Sequence, residues 1–143
     1  MKNTSIKVTQ SFLRKFVRLV NDGPINAYSD EGAKRKEKFM EGCEAIAYKL
    51  ADLMGLPKGS YEVRWNAAGI ACSGDVHLHG ERIYVALEQG ALSRDMGFYY
   101  RNCNGKKDYC GGRNCWVKWE RLLNLPALAT EMERECEKLP AAV

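Results

Sequence analysis

The sequence predicts a single α+β domain over residues 1–143: a small antiparallel sheet of three to four strands, covered by two N-terminal helices and closed by a helical C-terminus. Three observations predict it. Apolar residues recur at helical spacing in two early segments, alternate with polar ones from Tyr61 onward, and return to helical spacing after Pro126. Helices therefore segregate from strands along the chain, which favours helices on one face of a sheet over alternating β-α units.

The first helix is expected over Ser11 to Asn21, where Phe12, Phe16, Leu19 and Val20 form one stripe and Arg14, Lys15 and Arg18 face elsewhere. Asp22-Gly23-Pro24 stops it, because glycine accepts left-handed geometry and proline cannot continue a helix. The second begins at Ser29 or Asp30, either of which can cap the first-turn N–H groups. Phe39, Cys43, Ile46, Leu50 and Leu53 then form a regular apolar seam, and Gly55 and Pro57 end it. The basic run Lys34 to Lys38 reads as a solvated face.

Tyr61, Val63 and Trp65 alternate with Glu62 and Arg64, as a half-buried strand does. Asp75 to Leu87 reads as a hairpin turning on Gly80-Glu81, with glycine at positive φ. That turn sets Leu78 opposite Ile83 and Val76 opposite Val85 on an apolar face. His77 then faces Tyr84, and His79 faces Arg82, on the other. Gly97 to Asn102 supplies a further strand. A short helical segment is expected from Trp116 to Leu123. Another follows from Pro126, with Leu128, Met132, Cys136 and Leu139 on its apolar side.

An apolar content of 45% beside 28% charged residues suits a folded core and excludes a disordered chain. No apolar run is long enough for a membrane span, and the N-terminus lacks a secretory pattern, so a cytoplasmic location is expected. Six cysteines in a reducing compartment are then thiols by default, and Cys43 and Cys136 fall at apolar helix positions, where a thiol packs as a small hydrophobe.

Chemistry concentrates between Arg101 and Trp116. Arg101, Lys106, Lys107 and Arg113 offer donors to phosphate or carboxylate. Gly105, Gly111 and Gly112 allow close backbone approach, and Tyr99, Tyr100, Tyr109 and Trp116 offer flat surfaces for a base or side chain. On a chain of net charge +4 this combination suits nucleic acid or an acidic protein surface. The opposing expectation is a solvated loop in which Asp108 pairs with a neighbouring lysine.

Two further constellations bear on metals. Cys103, Cys110 and Cys115 lack the short knuckle spacing of structural zinc sites, so a cage would need a fourth ligand such as His79, His77 or Cys72. Asp75, His77 and His79 share one strand face, a geometry that suits two or three ligands or equally a wet sheet face. Phosphate-binding loops, nucleophile elbows, HExxH and zinc-deaminase patterns are missing, which weighs against an enzyme.

The run R-N-C-N-G-K-K-D-Y-C-G-G-R-N, Arg101 to Asn114, after S-G-D-V-H-L-H-G-E-R-I-Y-V-A-L, resembles small proteins carried by bacteriophages and prophages. The resemblance covers the middle and C-terminal half. In that pattern the arginine, first cysteine, K-D-Y, Gly-Gly and asparagine recur, whereas Cys110 and Cys115 are departures that argue against an obligatory zinc cage. It implies an accessory protein of the host-binding kind, a group that includes inhibitors of CRISPR and related nucleic-acid-targeting defences.

The sequence thus favours a non-enzymatic binder of a host protein or nucleoprotein complex, or of nucleic acid, without cofactor. Arg101, Lys106, Lys107, Asp108, Tyr109, Arg113, Asn114, His77 and Tyr84 would form its surface. The alternatives are a zinc-supported module or small hydrolase using His77, His79 and the loop cysteines, and a protein that sequesters a phosphorylated small ligand. Oligomeric state is not encoded in any recognisable motif.

Overall fold

A computed structural model describes residues 6–90, 97–109 and 111–138. Cys110 and Leu139, both named above, lie outside the described residues. Two helices come first, α1 (Gln10–Asn21) and α2 (Asp30–Leu53). Five strands follow: β1 (Glu62–Asn66), β2 (Asp75–His79), β3 (Ile83–Glu88), β4 (Phe98–Asn102) and β5 (Cys115–Val117). A 3-10 turn (Trp119–Asn124) leads into α3 (Leu125–Glu137). The strands form one antiparallel sheet in the order β1-β2-β3-β4-β5, each pairing with its neighbour in sequence. The α+β architecture is as expected, with one strand more than the sequence suggests. None of the described helices is long and apolar enough to cross a membrane.

The helices cover one sheet face, α2 and α3 directly and α1 over α2 and the 3-10 turn. Val76, Leu78, Ile83, Val85, Leu87, Phe98, Tyr100 and Val117 point toward them and join Phe16, Phe39, Ile46, Leu50, Leu128 and Met132 in one core. Trp119 locks the layers together, its ring meeting Phe16, Phe39 and Phe98 at centroid distances of 5.8, 6.0 and 5.0 Å. Such edge-on aromatic contacts add to the burial of their area. Cys43 lies fully inside the core and Cys136 packs against it, the small-hydrophobe role expected of both.

Local chemistry sets the element ends. Thr9 caps α1 by accepting from Phe12 N–H at 3.1 Å, and Ser29 caps α2 through Gly32 N–H at 3.0 Å. The Gln89 side chain ties the end of α1 to the sheet. Its amide donates to Val20 O at 2.8 Å and Gly23 O at 3.1 Å, while its oxygen accepts from Ile25 N–H at 2.7 Å.

Four local expectations are corrected. In α1, Leu13 and Val17 are buried with Phe16 and Val20, while Phe12 and Leu19 are only partly covered, so the stripe is rotated slightly. The basic run of α2 is not uniformly solvated. Lys36 is buried and donates to Gly69 O at 2.8 Å, and Arg35 donates to the carbonyls of Leu19 and Asp22 at the end of α1. A guanidinium there complements the helix's negative end. Cys115–Val117 pairs with β4 as an edge strand instead of opening a helix, and three residues are too few for alternation to register. Asn124 caps α3 by accepting from Ala127 N–H at 3.3 Å, which places Pro126 in the first turn, as its missing N–H allows.

The fourth correction is the hairpin register. Leu78 pairs with Val85, His77 with Ala86, His79 with Tyr84 and Asp75 with Glu88. Glu81 and Arg82 form the tip, flanked by Gly80 and Ile83, whose N–H and C=O meet at 2.8 Å. Gly80 is not among the positive-φ glycines. The slip of two positions keeps the same residues in the core, because side chains repeat every second residue. The segment after β4 stabilises it: Cys103 N–H donates to Arg82 O at 2.9 Å and Gly105 N–H to Glu81 O at 2.7 Å.

Candidate binding face

The face turned away from the helices carries a polar and aromatic layer. Alternation places Arg64 of β1, Asp75, His77 and His79 of β2, Tyr84, Ala86 and Glu88 of β3, Tyr99 and Arg101 of β4, and Trp116 of β5 on this side. Ala86, the small residue in the middle, packs with Tyr84, Cys103 and Tyr99 as a second, minor cluster. Trp116 pairs with Tyr99 across the β4–β5 edge at a centroid distance of 5.1 Å and stays 40% exposed.

Arg101 is withdrawn from the surface. It is 7% exposed, with its guanidinium 4.3 Å from the centre of the Tyr84 ring. It donates to Tyr109 O through one nitrogen and to Asn114 Oδ1 at 3.4 Å through the other, while its Nε–H has no hydrogen-bond partner among the described residues. Instead of reaching for a ligand, Arg101 clamps both arms of the loop onto the sheet. Asn114 therefore acts as a clamp partner.

Asp108 shapes the loop from within. Its carboxylate accepts from Asn104 N–H at 2.9 Å and from Gly111 N–H at 2.7 Å, so it organises the loop backbone. Gly112 holds φ at +86°, and a Cβ there would sit 2.1 Å from Asn102 O, so glycine is required. Lys107, Tyr109 and Arg113 are exposed and Lys106 half-exposed.

The histidines part company. His79 is fully buried. Its Nδ1 lies 2.9 Å from Arg64 Nη2, which can only donate, and its Nε2 lies 3.1 Å from Gly105 O, which can only accept. His79 is thus a neutral imidazole protonated on Nε2, with both nitrogens occupied. Tyr109 closes over it, ring centroids 5.2 Å apart, and its hydroxyl takes a 2.5 Å hydrogen bond from Arg64. Burial first, then Arg64, holds His79 below its ordinary pKa. The expected His79–Arg82 pairing is absent, since Arg82 donates to Lys138 O at 3.1 Å.

His77 keeps the expected contact with Tyr84 despite the shifted register, with centroids 5.2 Å apart and Nδ1 3.1 Å from the hydroxyl. Its Nε2 lies 3.4 Å from Asp75 Oδ1. Burial lowers the His77 pKa, Asp75 opposes this, and Arg64 and Arg101 act with burial. Burial pushes the Tyr84 phenol up to about 12, and burial with the facing Asp75 raises the Glu88 carboxyl.

Of the residues named for zinc, Cys110 lies outside the described residues and His79 has both ring nitrogens engaged. Cys103 is buried and its thiol donates to Gly80 O at 3.4 Å, and the Cys115 thiol is directed to Arg113 O. Burial raises the pKa of both. Among the described residues, the one trio whose ligand atoms converge is Asp75, His77 and Glu88, all within 4.8 Å of one another. Sequence reasoning missed Glu88 and Arg64. Both sit at polar positions of the strand alternation, so the signal existed, but their neighbours depended on register.

A separate groove of about 540 Å³ runs between α2 and β1, lined by Val8, Tyr48, Lys49, Lys58, Tyr61 and Val63 among others. It shares no lining residue with the loop. No protein-family model, curated protein or solved structure matches the chain.

Proposed function

We propose that the chain is a non-enzymatic binding protein whose loop and adjoining sheet edge grip a negatively charged macromolecule. One observation carries this reading: the loop is fixed from beneath by Arg101 and Asp108, yet it leaves Lys107, Arg113 and Tyr109 exposed, and Trp116 is exposed on the β5 edge. Cations and flat rings on a pre-ordered scaffold suit phosphates and bases, and a ligand then need not bear the cost of ordering the loop. The interface is therefore Lys106, Lys107, Tyr109, Arg113 and Trp116, with Arg101, Asp108 and Asn114 as its support. His77 and Tyr84 lie on the same sheet face.

The resemblance of this loop to phage and prophage proteins directs the proposal toward a host complex that carries nucleic acid, a defence complex in particular. No cofactor enters the binding step. The test is fluorescence anisotropy with labelled single- and double-stranded oligonucleotides, in wild type and in Lys106→Ala/Lys107→Ala/Arg113→Ala. Binding should weaken steeply with salt, and the triple variant should show a shallower salt dependence. Equal affinity of the folded triple variant, for oligonucleotide and for any host complex captured on wild type, would refute the proposal.

A further inference from the structure

Asp75 and Glu88 stand directly opposite each other on β2 and β3, on the helix-free face. Like charges in that position repel, and repel more where burial removes water. Asp75 is 19% exposed in its side chain and Glu88 is half-buried. Among the described residues, no lysine or arginine forms an ion pair with either; Asp75 meets only His77. A strand pair that places two carboxylates face to face without a cation between them is costly unless something positive is taken up there.

The imidazole is arranged for that uptake. Tyr84 engages His77 Nδ1 at 3.1 Å, which leaves Nε2 turned toward the carboxylates, 3.4 Å from Asp75 Oδ1. Metal-binding histidines are commonly held in this way by a partner on the second nitrogen. For metal–ligand bonds of about 2.0–2.1 Å in tetrahedral array, neighbouring ligand atoms lie about 3.3 Å apart, so the Asp75–His77 edge already has the right span.

We propose that Asp75, His77 and Glu88 bind one divalent first-row cation of the manganese, iron(II) or zinc class. Two carboxylates and one imidazole are too hard for copper(I), and the imidazole disfavours magnesium and calcium. Three ligands from two adjacent strands leave the outward side for water or an anion, as in metal sites that exchange ligands. The assignment is independent of the loop proposal, since none of the three ligands belongs to the loop.

The test uses the full chain stripped with chelator and titrated with Mn²⁺, reading the sharp electron-paramagnetic signal of free Mn²⁺. With protein in excess, the signal should fall to a one-to-one end point, and Zn²⁺ should restore it by displacing Mn²⁺. Glu88→Gln, isosteric and relieved of the like-charge pair, should fold normally and weaken binding at least tenfold. Tyr84→Phe should weaken it by roughly tenfold through loss of the His77 partner. His79→Gln should bind like wild type. An undiminished free-ion signal overturns the proposal. So does binding that survives Glu88→Gln, or that is lost in a folded His79→Gln.

Discussion

Replacing Arg101 with alanine separates a clamp from a surface contact. The side chain donates to Tyr109 O and to Asn114 Oδ1, and its guanidinium lies on the Tyr84 ring at 4.3 Å. Hydrogen bonds from a charged donor are worth about 1.5–3 kcal/mol each, and a desolvated cation–π contact about 2 kcal/mol. Against this stands the cost of burying a charge, several kcal/mol, made worse by an Nε–H that has no partner among the described residues. The net loss on truncation is therefore about 2–3 kcal/mol. For a chain of this size that lowers the thermal midpoint by roughly 6–12 °C. Calorimetry, with Lys107→Ala as the comparison, reads the difference. Lys107 is exposed, so its loss should stay within about 0.5 kcal/mol. Arg101→Lys should recover only part of the stability, since an ammonium cannot reproduce the fork. An Arg101→Ala midpoint within a degree of wild type would refute the clamp and return Arg101 to the surface.

Gly97→Ala should cost at least about 3 kcal/mol, because φ is +87° and a Cβ would lie 1.8 Å from Val117 O; a urea midpoint measures it. In chelator-treated protein, a double-mutant cycle on Asp75→Asn and Glu88→Gln should report a repulsive coupling of about 0.2–1 kcal/mol, and a coupling of zero would contradict the β2–β3 register. Stability should also fall on mild acidification. His79 sits below its ordinary value of 6.5 through burial and Arg64, with Arg101 acting with them and Asp108 and Gly105 O opposing. The unfolded chain therefore takes up this proton first. The contribution of His79 is full above pH 6.5 and is lost as the pH falls through the folded-state value. His79→Gln should flatten the slope of urea stability between neutral pH and pH 5, leaving the part due to His77, and an unchanged slope would exclude His79 as its source.

The fold class was legible because each of its signals is local. The α2 seam from Phe39 to Leu50 and the alternation of Val76, Leu78, Ile83 and Val85 appear in the sequence and again in the core. The loop's cations were legible as residue types only. Arg101, Lys106, Lys107 and Arg113 look alike in a sequence, and which of them turns inward is settled by strand parity. Arg101 continues the β4 alternation onto the face of Tyr84 and Tyr99, so its side chain is committed to the sheet before the loop begins. The three later cations follow the last residue of β4 and escape that constraint.

Register explains why the metal-type trio stayed hidden while its fold did not. A Gly80-Glu81 turn and the observed Glu81-Arg82 tip bury the same apolar residues, so hydrophobic patterning cannot tell them apart. The polar face distinguishes them sharply. In the first arrangement Asp75 faces Ala86 and the histidines carry the chemistry alone. In the second, Asp75 faces Glu88, and His77 stands beside both. What selects between them lies outside the hairpin: Cys103 and Gly105 donate to the carbonyls of Arg82 and Glu81, which fixes the tip from the loop that follows β4. The segment that presents the cations thus also sets the alignment that brings the two carboxylates together, and a change in the 103–105 backbone should disturb both surfaces at once.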